Sequence, residues 1–166
     1  MIDLKKYLEV GFIQKPIGFD GRLILNLSLN VNLKKSISNI VILVNGSVLP
    51  FHIKDIIFDS KKIYFKIEHL KNRDSVEFLK NKKAYILFED LEEKSEKLFS
   101  KLNYKVFDNE KEIGQIVSIE NSTKNIIAFL KNYQDQEIII PFSENFIKKI
   151  DDEKKIIYMS LPIGLY

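Results

Sequence analysis

Cysteine and tryptophan are absent from this 166-residue chain, and His52 and His69 are its only imidazoles. Without cysteine there is no disulfide staple, no thiol nucleophile and no zinc ribbon, and two isolated histidines disfavour most metallohydrolases. Arginine is almost as scarce: Arg22 and Arg73 are the only two among 26 basic residues. With the many Ile and Asn, this reads as a drift toward A/T-rich codons rather than selection for function. Long apolar runs are missing as well. The longest aliphatic stretch, 40–44, is far shorter than the roughly 20 residues of a membrane helix. Asp3, Lys5, Lys6 and Glu9 interrupt the start where a secretory signal needs an apolar core. A cytoplasmic address is the expectation. No G-x-S-x-G, Walker-type loop or dinucleotide fingerprint occurs, so strained nucleophile turns and phosphate cradles have no support. No catalytic residue, metal site or cofactor is expected.

What is present suits a folded, mainly β chain. Apolar residues make up 45% and charged residues 30%, with a net charge of +3, which is neither a disordered composition nor a polycation. Leu23, Leu25, Leu27, Leu29 and Val31 alternate with Ile24, Asn26, Ser28 and Asn30, the period of a half-buried strand over 23–31. Further strands are predicted at 7–13, 40–44, 48–58, 63–67 and 84–88. Asn72 can cap a short helix that buries Val76 and Leu79, with Asp74 and Glu77 complementing its positive end. The charged stretch EDLEEKSEKLFSK, 89–101, reads as an interdomain linker with some helix. Beyond it, strands are predicted at 104–107, 113–119, 126–130, 137–140 and 156–159. Turn signals at Asp108-Asn109, Asn121-Ser122 and 133–135 separate them. Short strands at this spacing favour barrels or sandwiches over a parallel α/β sheet. The charge is uneven: residues 1–90 hold 15 basic and 10 acidic residues, residues 91–166 hold 11 and 13. Different partners for the two halves, or ordinary scatter, both fit that division.

Three of the six glycines and one of the four prolines fall in GFIQKPIGFDG, at Gly11, Gly18, Gly21 and Pro16. Pro16 fixes its own φ and restricts Lys15, while Gly18 and Gly21 permit left-handed turns, so Lys15 projects from a constrained loop. The loop is either a tight connection between two barrel strands or a binding loop. Other constellations are bland. Asp151, Asp152 and Glu153 beside Lys154 and Lys155 read as a solvated turn rather than a paired acid and base. His52 reads as a strand residue at a barrel edge, and His69 as exposed.

GFIQKPIGFDGRLIL resembles the G-x-I-x-K-P-H-G-x-x-G-E pattern that opens the RimM family of ribosome maturation factors. RDSVEFLKNKKAYILFEDL is similar to that family's D-R-x-x-A-E-x-L-x-G-x-x-L-Y-V segment. EIGQIVSIENSTKNIIAFL and EIIIPFSENFIKKIDDEKKIIYMSLPIGLY resemble its closing PRC-type barrel, with I-P-F, D-x-x-x-K-x-I and a final L-P-x-G-L. The motifs occur in the family's order over nearly the whole chain. The resemblance implies an all-β protein of two small β-barrels joined by a short charged linker. Residues 1–90 would be a translation-factor-like N-terminal barrel, 91–103 the linker and 104–166 the PRC barrel.

It also implies a non-enzymatic, monomeric assembly factor for the head of the small (30S) subunit and the 3′ domain of 16S rRNA. Its expected partners are ribosomal protein uS19 and the immature 30S particle. Lys15, Pro16, Gly18 and Gly21 match the family loop. Ile17 stands where the family has His and Arg22 where it has Glu, so no role of those two side chains carries over, though Arg22 remains a cation on the loop. These five residues, Lys15, Pro16, Gly18, Gly21 and Arg22, are the expected contacts to rRNA and the immature particle. The family's tandem linker aromatics, associated with the ribosomal protein, have Leu98, Phe99 and Tyr104 as their nearest replacements, either as exposed anchors or with Phe99 folded back on the barrel. The rival class is an enzyme on RNA or small molecules with a PRC-type regulatory domain. It lacks any nucleophile, base or metal cluster. A membrane-associated photosynthetic PRC protein is discouraged by the missing span.

Overall fold

The computed structural model describes residues 2–122 and 125–166, so Thr123 and Lys124 of the ENSTKN stretch lie outside the described residues. The chain divides into two compact units, Met1–Glu96 and Lys97–Tyr166.

In the first unit six strands close into a barrel: β1 (Tyr7–Ile13), β2 (Leu23–Leu27), β3 (Asn39–Val44), β4 (Ser47–Asp59), β5 (Lys62–Ile67) and β6 (Lys83–Leu87). Their order is β1-β2-β5-β4-β3-β6, and antiparallel pairing of β1 with β6 completes the circle. The alternation in β5 is the pleat itself, with Ile63, Phe65 and Ile67 turned into the core, while in β1 a register shift between Glu9 and Gly11 separates Leu8 and Val10 from Ile13, all three buried. Asn45-Gly46, both at positive φ, joins β3 to β4 in a two-residue hairpin.

The predicted strand over 23–31 is shorter in the structure. Asn26 pairs with Lys62 and the Leu27 amide donates to the Lys61 carbonyl, where the neighbouring chain turns between β4 and β5. Beyond that point β5 turns away and only the Ser28 amide, donating to the Val10 carbonyl at 2.9 Å, extends the pairing, yet Val31 and Leu33 stay buried. The Asn72 cap is formed. Its side-chain oxygen accepts from the Ser75 amide at 2.9 Å, and the Ser75 hydroxyl oxygen accepts from the Asn72 amide at 3.3 Å. The helix α1 (Arg73–Val76) passes into a 3-10 turn, Glu77–Leu79, with Val76 and Leu79 fully buried as their spacing implied.

Residues 91–103, expected as a linker, are divided between the units. Leu91 is fully buried and pairs with Leu33 in an isolated bridge, the Glu92 amide donates to the Asn32 carbonyl at 2.8 Å, and the buried Ser95 hydroxyl accepts from the Asn32 amide at 2.9 Å. This segment straps the first barrel. The helix α2 (Glu93–Phe99) follows, and the division between units falls within it.

The second unit is a six-stranded sheet in the order β10-β9-β8-β7-β12-β11. Its strands are β7 (Lys105–Asp108), β8 (Lys111–Asn121), β9 (Ile126–Lys131), β10 (Glu137–Pro141), β11 (Ile147–Asp151) and β12 (Ile156–Met159). The pairing of β7 with β12 is parallel, and the other pairs are antiparallel. β11 was not anticipated, because IKKID offers two aliphatics around exposed lysines and resembles a charged turn.

In each unit a strand glycine lies where neighbouring backbones meet too closely for a side chain. A Cβ on Gly11 would stand 1.9 Å from the Asn26 carbonyl oxygen, and one on Gly114 would stand 2.7 Å from that of Lys131. Gly46, by contrast, faces open space. Gly11→Ala should therefore destabilise the chain by about 3 kcal/mol. Gly46→Ala should cost only about 1–2 kcal/mol, from its positive φ. Thermal unfolding of the two variants checks the contrast, and equal losses would show that the barrel relaxes around the added methyl.

Candidate nucleic-acid interface

The loop from β1 to β2 is a short hairpin extension. The Gln14 amide donates to the Ile24 carbonyl at 2.7 Å and the Ile17 amide to the Arg22 carbonyl at 2.8 Å, leaving Gly18-Phe19-Asp20-Gly21 as the tip. Gly18 and Gly21 have φ of +64° and +73°, the left-handed turns anticipated for them. Gly21 also packs closely, since a Cβ there would meet the Leu70 carbonyl oxygen at 2.8 Å. The Phe19 carbonyl accepts from the Arg73 amide at 3.2 Å, so the tip rests on the segment that caps α1.

Charge on this surface is sorted by one ion pair. Asp20 lies 2.8 Å from the Lys66 ammonium, which also lies 3.5 Å from Asp55, a residue of positive φ at an irregularity in β4. The hydrogen bond from Lys66 holds the Asp20 carboxyl below its usual pKa, and Asp20 in turn raises that of Lys66. Lys15, Lys71 and Arg73 are exposed and Arg22 is half-buried. The five expected contact residues thus fall in one turn but are not equivalent. Pro16 and Gly21 are buried supports, while Lys15, Gly18 and part of Arg22 reach solvent. Phe19, which charge and glycine spacing did not single out, is 89% exposed at the tip.

The three residues expected on a partner surface lie elsewhere. Leu98 is half-buried, and Phe99 and Tyr104 keep 1% and 6% of their surface, so both rings are interior. Hydrophobic burial explains this: a large apolar ring among charges gains most by folding inward. Exposed apolar groups of the second unit gather instead around a groove of about 790 Å³ lined by Tyr133, Ile139, Leu165 and Tyr166. Lys105 and Lys111 place their ammonium groups over the Tyr133 and Tyr166 rings, at 6.0 and 5.9 Å from the centroids.

Among the described residues no group of three or more His, Cys, Asp or Glu side chains could hold a metal ion. Asp151 caps its own turn, accepting from the Lys154 amide, and Asp152 accepts from Lys101 and from the Tyr104 hydroxyl at 2.9 Å. Neither is poised as an acid or base. Exposed His52 shares a hydrogen bond with Asn39 at 3.2 Å, and His69 is solvated beside Glu68.

The Tyr104–Asp152 pair makes the second unit sensitive to pH at both ends. Burial, then the bond to Asp152, pushes the Tyr104 hydroxyl up to about 12. Lys101, then Tyr104, holds Asp152 below the usual carboxylate value. A phenol raised by folding stabilises the fold below its unfolded pKa of about 10 and loses that contribution as pH climbs toward 12. A depressed carboxyl contributes above its unfolded pKa and loses it as pH falls. Tyr104→Phe should accordingly flatten the fall in melting temperature above about pH 10. An unchanged alkaline slope would place that loss on other groups.

Comparison with known proteins bears on this arrangement. Residues 100–165 match the model of the RimM PRC barrel domain. The ribosome maturation factor RimM of Amoebophilus asiaticus is 26% identical over 164 residues, covering 96% of this chain and 94% of that protein. That of Azobacteroides pseudotrichonymphae is 27% identical over 176 residues, covering 99% of each. A 16S ribosomal RNA processing protein RimM of known crystal structure, from Pseudomonas aeruginosa, superposes with a TM-score of 0.45 at 14% identity, over 94% of this chain and 98% of that one. No helix among the described residues is long and apolar enough to cross a membrane. Residues 100–165 are thus similar to the RimM PRC barrel domain, and the chain as a whole is similar, end to end and in the same order, to ribosome maturation factors RimM.

Proposed function

We propose that the chain assists maturation of the small (30S) subunit head and the 3′ domain of 16S rRNA by binding, as a monomer in the cytoplasm. The observation that carries this reading is the end-to-end likeness to ribosome maturation factors, with 99% of both chains covered in one case. On this reading the first unit meets rRNA through the 15–22 loop and the second meets ribosomal protein uS19. A factor without chemistry acts only through differential affinity: it must hold the immature particle more tightly than the finished one, or it shifts nothing and fails to leave. Recovery of unprocessed 16S rRNA and head proteins with the affinity-purified chain tests the proposal, and recovery of neither would favour the enzyme reading.

The loop's part is supported by its exposed cations, since binding to phosphate supplies sequence-independent affinity and makes it salt-dependent. Replacing Lys15 and Arg22 together by Ala should lower affinity for immature subunits. It should also reduce the slope of log K against log salt by about 1.4, at ~0.7 for each phosphate no longer neutralised. Stability should fall by at most about 1 kcal/mol, because Lys15 is exposed and Arg22 only half-buried. An unchanged salt slope would remove the loop from the rRNA site.

For uS19 the apolar groove supports a contact better than the buried Phe99 does. The unit that carries it, Lys97–Tyr166, holds 10 basic and 10 acidic residues, so the case rests on its exposed apolar groups, because interface energy concentrates in a few aromatic or aliphatic anchors. Tyr133→Ala with Ile139→Ala should cost about 2 kcal/mol or more in binding to purified uS19, measured by calorimetry, with little change in melting temperature. Phe99→Ala should do the reverse, losing about 3–5 kcal/mol of stability. If the groove variant binds uS19 as well as the parent does, the partner surface lies elsewhere.

A further inference from the structure

We propose that Phe19 is a stacking platform for an unpaired RNA base. This rests on the reading that the 15–22 loop faces rRNA, and it names what that loop recognises there. Phe19 leaves 89% of its surface in water at the tip of a turn whose backbone is held on several sides. The Ile17–Arg22 bridge closes its base, the Arg73 amide binds the Phe19 carbonyl, and Lys66 holds the next side chain, Asp20, at 2.8 Å. A ring on a slack loop could fold back onto nearby apolar surface. Here the ordered turn presents it outward before any ligand arrives, so binding need not order the loop.

The surroundings select the ligand. Asp20, the one carboxylate of the turn, is paired with Lys66, and Asp55 and Glu68 line the same hollow, while Lys15 and Arg22 lie on the turn and Lys71 and Arg73 on the segment it rests against. An exposed aromatic face on a turn that also carries Lys15 and Arg22 suits a base stacked on the ring with its phosphates on nearby cations. A protein pocket would ask for apolar neighbours instead. Paired bases inside a helix have no free face to offer, so the target is an unpaired one.

The test uses the full chain and two unstructured probes, oligoadenylate and oligouridylate, with affinity read by anisotropy. Purines offer the larger face, so the parent should bind oligoadenylate more tightly. Phe19→Leu, which keeps an apolar side chain but removes the π face, should lower that affinity about tenfold without moving the melting temperature or the salt slope. Phe19→Trp should restore it. Because the parent has no tryptophan, the emission of this variant reports the tip alone, and it should be quenched by oligoadenylate. Parental affinity in Phe19→Leu, or unquenched emission in Phe19→Trp at saturating probe, would overturn stacking. If Phe19→Leu loses binding to a purified head protein while keeping oligoadenylate, the ring is a protein anchor and the proposal fails. If the Lys15 and Arg22 variant shows a reduced salt slope while Phe19→Leu binds like the parent, stacking alone fails and the loop keeps its place against rRNA. A parent that binds neither RNA probe nor immature particle would sink both.

Discussion

Closure of the first barrel depends on β1 lying against both β2 and β6, and the tightest point of that closure is Gly11. A register shift in the β1–β6 pairing falls between Glu9 and Gly11, and a side chain on Gly11 would run into the Asn26 backbone. A bulge of this kind bends a strand and increases its twist, which is what a small barrel needs at a corner. The 15–22 loop is the connection between β1 and β2, so its origin and heading are set by that same close approach. Function at the tip is therefore coupled to packing in the wall through backbone geometry, without any side chain relaying between them.

The tip is then fixed by polar contacts that the barrel supplies from other strands. Lys66 projects from β5 and holds Asp20, while Asp55, from the irregular part of β4, pairs with the same ammonium group. These pairs are partly solvated, and such pairs add little to global stability. Their effect is local: they favour one arrangement of a four-residue tip and offset part of the charge of the two carboxylates. Asp20 thus belongs to the support of the loop, although its carboxylate taken alone would argue against a nucleic-acid surface.

Much of this was legible in the sequence because the signals were local. The period-2 pattern at 63–67 gave β5, and Asn72 ahead of the acidic Asp74 and Glu77 gave the cap of α1. What escaped was nonlocal. Leu91 and Ser95 look like members of a charged linker, and only the backbone at 32–34, about sixty residues earlier, makes their burial worthwhile. Phe99 and Tyr104 posed the same ambiguity, since an aromatic among charges is either an anchor or a core residue and only the tertiary contact decides. β11 was hidden because its pairing with β12 needs backbone groups, which carry no residue code, while Lys148 and Lys149 point to water. Phe19 escaped for the opposite reason: the loop's glycines and cations explained it so fully that the residue between them went unweighed.

The exposed ring matters because the loop's charge cannot discriminate alone. Phosphates line immature and finished rRNA alike, so attraction through Lys15 and Arg22 would raise affinity for both states and shift no equilibrium between them. Bases differ between the states: a nucleotide unpaired in the immature head can be stacked or paired once the head has docked. If Phe19 stacks as proposed, a ring that binds only an accessible base face converts maturation into a loss of affinity, while the cations speed encounter. On the proposed reading, release follows from the substrate's own folding, and a chain with no catalytic group needs no other source of direction.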